Sequence, residues 1–296
     1  MKKTLCLILA LLMTGLWVPS RGEMETVSFR GSVTVARDAA YVDLGDTRVN
    51  EWTELEAFLD QLPNLERVDM FASPVWKKQI EELTDRYPNV TFGWTIRIAE
   101  HTVRTDATAF STLHNNRSAE HSSADFSVLK YCRDLLALDI GHNRVDDLSF
   151  LYDLPQLKVL IVACNHVTDI TPIGSLKELE YLEVFKNRVT DLTPLAQLTH
   201  LVDLNICFNR VSDWSPLYGL TGLERLWLYN SNNYSDNSPV PAEAVRKLKE
   251  ALPDTHIDST SYSTLGGWRT HPRYDIIHQM FADGVYIPFD REEAAP

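Results

Sequence analysis

The sequence has little with which to cross-link itself, grip phosphate or run a reaction. Among 296 residues there are only four cysteines. Cys6 lies in an N-terminal apolar run, and Cys132, Cys164 and Cys207 form an odd set at spacings that match no metal or disulfide framework, so at least one thiol stays unpaired. No Gly-x-Ser-x-Gly elbow, phosphate-binding glycine loop, His-Glu-x-x-His or Cys-x-x-Cys occurs, which removes the usual grounds for assigning a catalytic residue or a cofactor. Basic charge is also scarce: 28 Lys and Arg face 41 Asp and Glu, for a formal net charge of −13. Neutralising phosphates requires a basic footprint, so binding to nucleic acid or to an anionic membrane is disfavoured.

His101, His114 and His121, with Asp106 and Asp125, are the one group with metal-ligand chemistry. Their separations place them on no common helical or strand face, so no metal site is expected. An enzymatic reading would need a hidden site in which His114 or His121 meets an acid in a cleft between this region and the C-terminal end.

Long apolar runs are confined to the start of the chain. Lys2 and Lys3 precede an apolar stretch from Leu5 to Val18, and Ser20 and Gly22 supply small residues where a signal peptidase cuts, so residues 1 to 22 read as a secretory signal. The alternative is an uncleaved membrane anchor, for which the run is short against the roughly 20 residues that cross a bilayer. Cleavage would remove Lys2, Lys3 and Arg21 but no acid, taking the formal charge from −13 to −16. The expected location is secreted or extracellular, with no stable membrane insertion after cleavage.

What the chain does have is a period of 22 residues. Leu135, Leu157, Leu179, Leu201 and Leu223 share one phase; Leu138, Leu160, Leu182, Leu204 and Leu226 follow three residues later; Ile140, Val162, Val184, Ile206 and Leu228 follow two after that. Asn143, Asn165, Asn187 and Asn209 close the pattern Leu-x-x-Leu-x-Leu-x-x-Asn. The alternation at its centre predicts one short strand per unit, stacked into a parallel sheet, with each asparagine bonding the backbone of adjacent coils where water does not reach. Asp147, Asp169, Asp191 and Asp213, with Pro172, Pro194 and Pro216 three residues after the last three, predict a capped helical turn on the outer side. The same phase puts Cys132 in a slot that is leucine in later units, which makes packing its expected role.

These residues resemble the leucine-rich-repeat superfamily, specifically the 22-residue type of bacterial internalins. The flanks, through Tyr87-Pro88-Asn89, Trp94-Thr95, Arg104 to Phe110, Gly267-Trp268-Arg269 and His271 to Tyr274, resemble a group of secreted leucine-rich-repeat proteins of Gram-positive bacteria. The resemblance implies an α/β solenoid with a parallel concave sheet, short helices or 3-10 turns on the convex side and a helical C-terminal cap. It implies a fold and export, not a mechanism.

Around the regular units, 125–230, the chain divides further. Residues 23–98 read as irregular coils, with strands at Tyr41–Leu44 and Leu65–Met70, a helix introduced by a Thr53/Glu56 capping-box spacing, a second helix from about Val75 to Tyr87 and a strand from Val90 to Ile98. Residues 99–124, rich in Ser, Thr, Asn and His, read as a polar insertion or loop. Residues 231–296 read as a capping region with a helix at Ala242–Leu252, a strand at Thr255–Asp258 and a last helix from Pro272.

The functional expectation rests on the columns that flank the repeating leucines and must face the inside of the curve. They run Ala137, Val159, Tyr181, Asp203, Arg225; Asp139, Ile161, Glu183, Asn205, Trp227; and Gly141, Ala163, Phe185, Cys207, Tyr229, with Lys186 and Phe208 beside them. The face passes from small residues to large rings, and rings beside an arginine are typical binding anchors. A non-catalytic module is therefore expected, holding a protein or peptide through Ile161, Tyr181, Phe185, Phe208, Trp227 and Tyr229, with Glu183, Lys186, Asp203 and Arg225 setting orientation. Carbohydrate or cell-wall binding through the same rings is the alternative. A further possibility is that the C-terminal segment or the insertion folds over the rings.

Overall fold

The computed structural model describes residues 25–113, 121–229, 239–260 and 267–289. The predicted signal at 1 to 22 and His114 lie outside them. The chain opens with an antiparallel hairpin of β1 (Thr26–Phe29) and β2 (Val33–Ala36). A four-stranded sheet follows, ordered β3 (Tyr41–Asp43), β4 (Arg67–Val75), β5 (Thr91–Ile98) and β6 (His101–Arg104), with α1 (Trp52–Leu59) and α2 (Lys77–Arg86) in the first two crossovers. The first three strands are parallel and β6 folds back antiparallel on β5. Helix α1 begins at Trp52 with Glu51 as its N-cap, so Thr53 lies inside it and the expected capping box does not form.

The second sheet is seven-stranded and parallel. Its order is β7 (Ala109–Ser111), β8 (Ala137–Asp139), β9 (Val159–Ile161), β10 (Tyr181–Glu183), β11 (Asp203–Asn205), β12 (Arg225–Trp227) and β13 (His256–Asp258). The short helix α3 (Ser123–Phe126) lies between β7 and β8, and α4 (Ala242–Ala251) between β12 and β13. Helix α5 (Pro272–Asp283) follows. On the convex side each regular coil carries a 3-10 turn, at Ser149–Asp153, Thr171–Ser175, Thr193–Gln197 and Ser215–Leu217.

Residues 99–124 are not a plain polar loop. A two-residue turn joins β5 to β6, and β7 pairs with β8 so that Ala109, Phe110 and Ser111 match Ala137, Leu138 and Asp139. The sheet thus begins one coil before the strict repeat does. The step from β7 to β8 is longer than 22 residues, which hides the coil from a search at fixed period.

The asparagines do what their phase predicts. Asn165 donates from Nδ2 to the carbonyls of Ile140 (2.9 Å) and Val162 (3.1 Å), while its Oδ1 accepts from the amide of Val145 at 2.9 Å. Asn143, Asn187 and Asn209 repeat the pattern, with Asn143 reaching Thr112 instead of an upstream carbonyl. The residue before each asparagine (His142, Cys164, Lys186, Phe208) has a φ of 55–59°. None is glycine, and each such residue costs roughly 1 kcal/mol in that conformation. The adjacent buried hydrogen bonds offset that strain. The aspartates also act as turn acceptors, but from one position before the N-cap: Oδ1 of Asp147, Asp169, Asp191 and Asp213 accepts the amide two residues on at 2.8–2.9 Å. Cys132 is fully buried in its leucine slot, and burial pushes its thiol up to about 12.

Candidate functional site

The concave face is occupied by the chain's own C-terminal segment. Within residues 267–289, Trp268, Ile277, Met280 and Phe289 form one apolar cluster with Ala109, Ala137, Val159, Ile161, Ala163, Tyr181, Cys207 and Trp227. The Trp268 indole is fully buried, with its ring centroid 5.5 Å from Tyr181 and 5.7 Å from Trp227. Gly267 has a φ of 68°, and a Cβ there would meet the Trp227 ring at 2.8 Å, so glycine is required both for the backbone turn and for the close approach.

Polar groups under this segment are matched to it. Trp268 Nε1 donates to Glu183 Oε1 at 2.7 Å, and the Tyr181 hydroxyl donates to the same oxygen. Burial raises the Glu183 carboxyl above its ordinary range, and these two donors pull it partly back. One coil on, Arg225 forms a two-pronged pair with Asp203, Nε to Oδ1 at 2.8 Å and Nη2 to Oδ2 at 2.6 Å. Its third nitrogen donates to the Trp268 carbonyl at 3.2 Å, and its guanidinium lies 4.4 Å from the centroid of the indole. Arg273, from the first turn of α5, brings Nη1 to 2.7 Å from Asp203 Oδ1 and also pairs with Glu224. A buried acid held between two arginines is a costly arrangement unless every member is in place. Here α5 supplies the last member.

The ten residues expected to meet a partner therefore divide. Ile161, Tyr181, Glu183, Asp203, Arg225 and Trp227 are buried against the C-terminal segment. The expectation that they lie open to a partner is corrected: Ile161, Tyr181 and Trp227 together make an apolar surface that must be covered, and the chain covers it itself. Phe185, Phe208 and Tyr229 are half-buried and Lys186 is exposed. These four lie just past the ends of β10, β11 and β12. The three rings stand edge to face in a row, Phe185 to Phe208 at 5.4 Å and Phe208 to Tyr229 at 5.5 Å. The sequence had placed Asp203 and Arg225 in one column a coil apart, so their pairing was legible. That Trp268 would be the plug was not, because no periodicity reaches it.

At the other end of the concave sheet, Asp139 accepts from the Gly141 amide at 2.9 Å and from the Ser111 hydroxyl at 3.1 Å. Burial nevertheless pushes its carboxyl up to about 7. Away from this face, the two described histidines of the expected non-site do converge: His101 and His121 stand with ring centroids 5.5 Å apart, both close to Glu100. Burial holds the His101 imidazole below its ordinary value, against the opposing pull of Glu100. Asp106 is instead paired with Arg104, and Asp125 with the Ser122 amide and hydroxyl.

Residues 155–197 match the family model described as Leucine Rich repeats (2 copies). No curated protein matches the sequence. Among solved structures, internalin C2 from Listeria monocytogenes is similar at 21% identity over 76% of this chain and 85% of its own, with a TM-score of 0.40. An internalin, InlF, from the same organism is similar at 20% identity over 78% and 72%, with a TM-score of 0.36. Leu-x-x-Leu-x-Leu-x-x-Asn units forming consecutive coils, a parallel concave sheet and asparagines bridging coil to coil give the chain the fold of a leucine-rich-repeat solenoid with a 22-residue period.

Proposed function

We propose that the protein is an extracellular, non-catalytic recognition module that takes a protein or peptide ligand at the part of the concave side its own C-terminal segment leaves accessible. The observation that carries this reading is the row Phe185, Phe208 and Tyr229, half-buried and edge to face, beside the exposed Lys186. Rings held by one another lose little side-chain freedom on binding, and a neighbouring cation adds orientation. The wider face, with Tyr181, Glu183, Asp203, Arg225 and Trp227, becomes available only to a partner that displaces residues 267–289. Among the described residues no helix is long and apolar enough to cross a membrane.

Selection of a random-peptide display library against the folded chain tests this. Peptides should be recovered whose binding falls at least tenfold with the double variant Phe185→Ala, Phe208→Ala, at unchanged far-ultraviolet circular dichroism. Failure to recover any peptide sensitive to that variant would sink the proposal. The carbohydrate reading is separated by co-sedimentation with purified wall polymer, which should leave the protein in solution. Pelleting lost in the same variant would favour the glycan instead.

A further inference from the structure

Two buried histidines break the packing rules of the solenoid at one place. In the regular coils the residue two after each asparagine is a valine: Val145, Val167, Val189 and Val211 are all buried. The amides of the first three donate to the asparagine of the next coil, and their carbonyls accept the amide of the residue that follows that asparagine. His121 makes the same two backbone bonds, its amide to Asn143 Oδ1 at 3.1 Å and its carbonyl from Arg144 at 2.9 Å. It therefore occupies the valine slot of the preceding coil. His101 is likewise an inward position, since β6 alternates buried and exposed from His101 to Arg104. A branched apolar side chain would serve packing better at both places, because a buried imidazole nitrogen without a partner is costly.

Each imidazole leaves its Nε2 unsatisfied. Nε2 of His101 and Nε2 of His121 are both buried and neither makes a hydrogen bond among the described residues. They point at one another's vicinity between Phe110 and Phe126, whose rings meet them edge-on. Glu100 closes the third side, with Oε1 3.6 Å from His101 Nε2 and Oε2 3.8 Å from His121 Nε2. It is held there by the two-residue turn between β5 and β6, whose other residue, Ala99, has a φ of 49°. One ligand atom from each of the three side chains lies within 4.8 Å of the others. A tetrahedral ion with bonds of about 2.0–2.1 Å holds its ligands about 3.4 Å apart, so modest side-chain rotation completes the site. Glu100 and His101 also line a groove of about 800 Å³ shared with Phe281 to Val285, which gives an ion a path from solvent.

We propose that Glu100, His101 and His121 bind a divalent ion of the zinc class, clasping the β5–β6 hairpin to the first coil of the seven-stranded sheet. Two imidazoles and one carboxylate suit zinc and its transition-metal neighbours, whereas calcium and magnesium favour all-oxygen sites. Three protein ligands leave a fourth position, on the side of the groove, for water.

The test uses the full-length chain without a histidine tag, stripped with a chelator and then dialysed against zinc chloride or calcium chloride. One equivalent of zinc should be retained, with a rise in Tm, and no calcium. His121→Val installs the residue of the other coils and should keep or raise the metal-free Tm while weakening zinc binding at least 100-fold; Glu100→Gln should weaken it without altering the metal-free Tm. The absence of a stoichiometric zinc equivalent in the unmutated chain, undiminished binding in His121→Val, or calcium in place of zinc would each overturn the proposal. X-ray absorption on the loaded protein should show scattering from two imidazoles, and a spectrum without imidazole would overturn it equally.

Discussion

Replacing Trp268 by alanine should release the C-terminal segment from the concave face without unfolding the solenoid. The indole is fully buried, packs on Tyr181, Trp227 and Arg225, and donates to Glu183. Truncating a fully buried tryptophan costs about 3–5 kcal/mol, a shift of two to more than three orders of magnitude in an opening equilibrium at about 1.4 kcal/mol per tenfold. The variant also leaves the Glu183 carboxylate with only the Tyr181 hydroxyl, which adds to the loss. Because the asparagine bonds and leucine columns lie beneath the sheet and do not involve the segment, the cost should fall on local opening. Hydrogen exchange followed by mass spectrometry reads this directly. Amides of 273–283 should exchange at least 100-fold faster, and those of 181–184 and 203–206 by less than about threefold. Equal acceleration at both places would refute the reasoning, since segment and solenoid would then be one cooperative unit. Unchanged exchange at 273–283 would refute the assignment of Trp268 as the anchor.

Other expectations follow from the same geometry. Asp139→Asn keeps an acceptor for the Gly141 amide and removes a carboxyl that burial has pushed up to about 7 from 3.8. An acid raised in the folded state contributes stability that is complete below the unfolded value and lost as pH climbs through the folded one. The variant should therefore exceed the parent by on the order of 4 kcal/mol in urea unfolding at pH 8, with the gap closing between pH 7 and pH 4. Asn187→Ala abandons two carbonyls and one amide in the interior and should cost about 3–6 kcal/mol, read as a fall in urea midpoint; Asp191→Ala, at an exposed turn, should shift the midpoint far less. Arg273→Ala should speed exchange of α5 more at low than at high salt, because it removes the contact that ties the helix to Asp203.

How much of this was legible depended on whether a residue's partner lay at a fixed offset. The leucine columns, the asparagines and Cys132 bond or pack one coil away, so a period of 22 residues was enough to assign them. Helices at 242–251 and 272–283 carried their own apolar pattern. The capping spacing of Thr53 failed because Thr53 lies inside α1, two residues past the N-cap Glu51. The strands β6 and β7 were missed because three- and four-residue strands with Thr, Ser and Arg on their outward side have the composition of a loop. His101 and His121 share no helix or strand, and only the β5–β6 turn folding back on the first coil brings them together.

The gradient from small to large residues along the concave face has a physical cause that the columns alone did not reveal. Helix α5 lies over β7 and β8, and the chain just after it is tied there by Gly284 accepting from the Ala109 amide at 3.2 Å and by the Tyr286 amide donating to the Thr108 hydroxyl at 2.8 Å. A helix is about 10 Å wide and can approach a sheet closely only where side chains are short. Ala109 and Ala137 provide that room. Further along, residues 267–271 form the turn that leads into α5 and carries Trp268, and Tyr181 and Trp227 fill the space a helix would otherwise occupy, closing around that indole. The inner face is thus shaped as the complement of residues 267–289. Phe185, Phe208 and Tyr229 pack at the margin of that cluster and stay half-buried, so the proposed ligand would meet them first unless it displaced the segment.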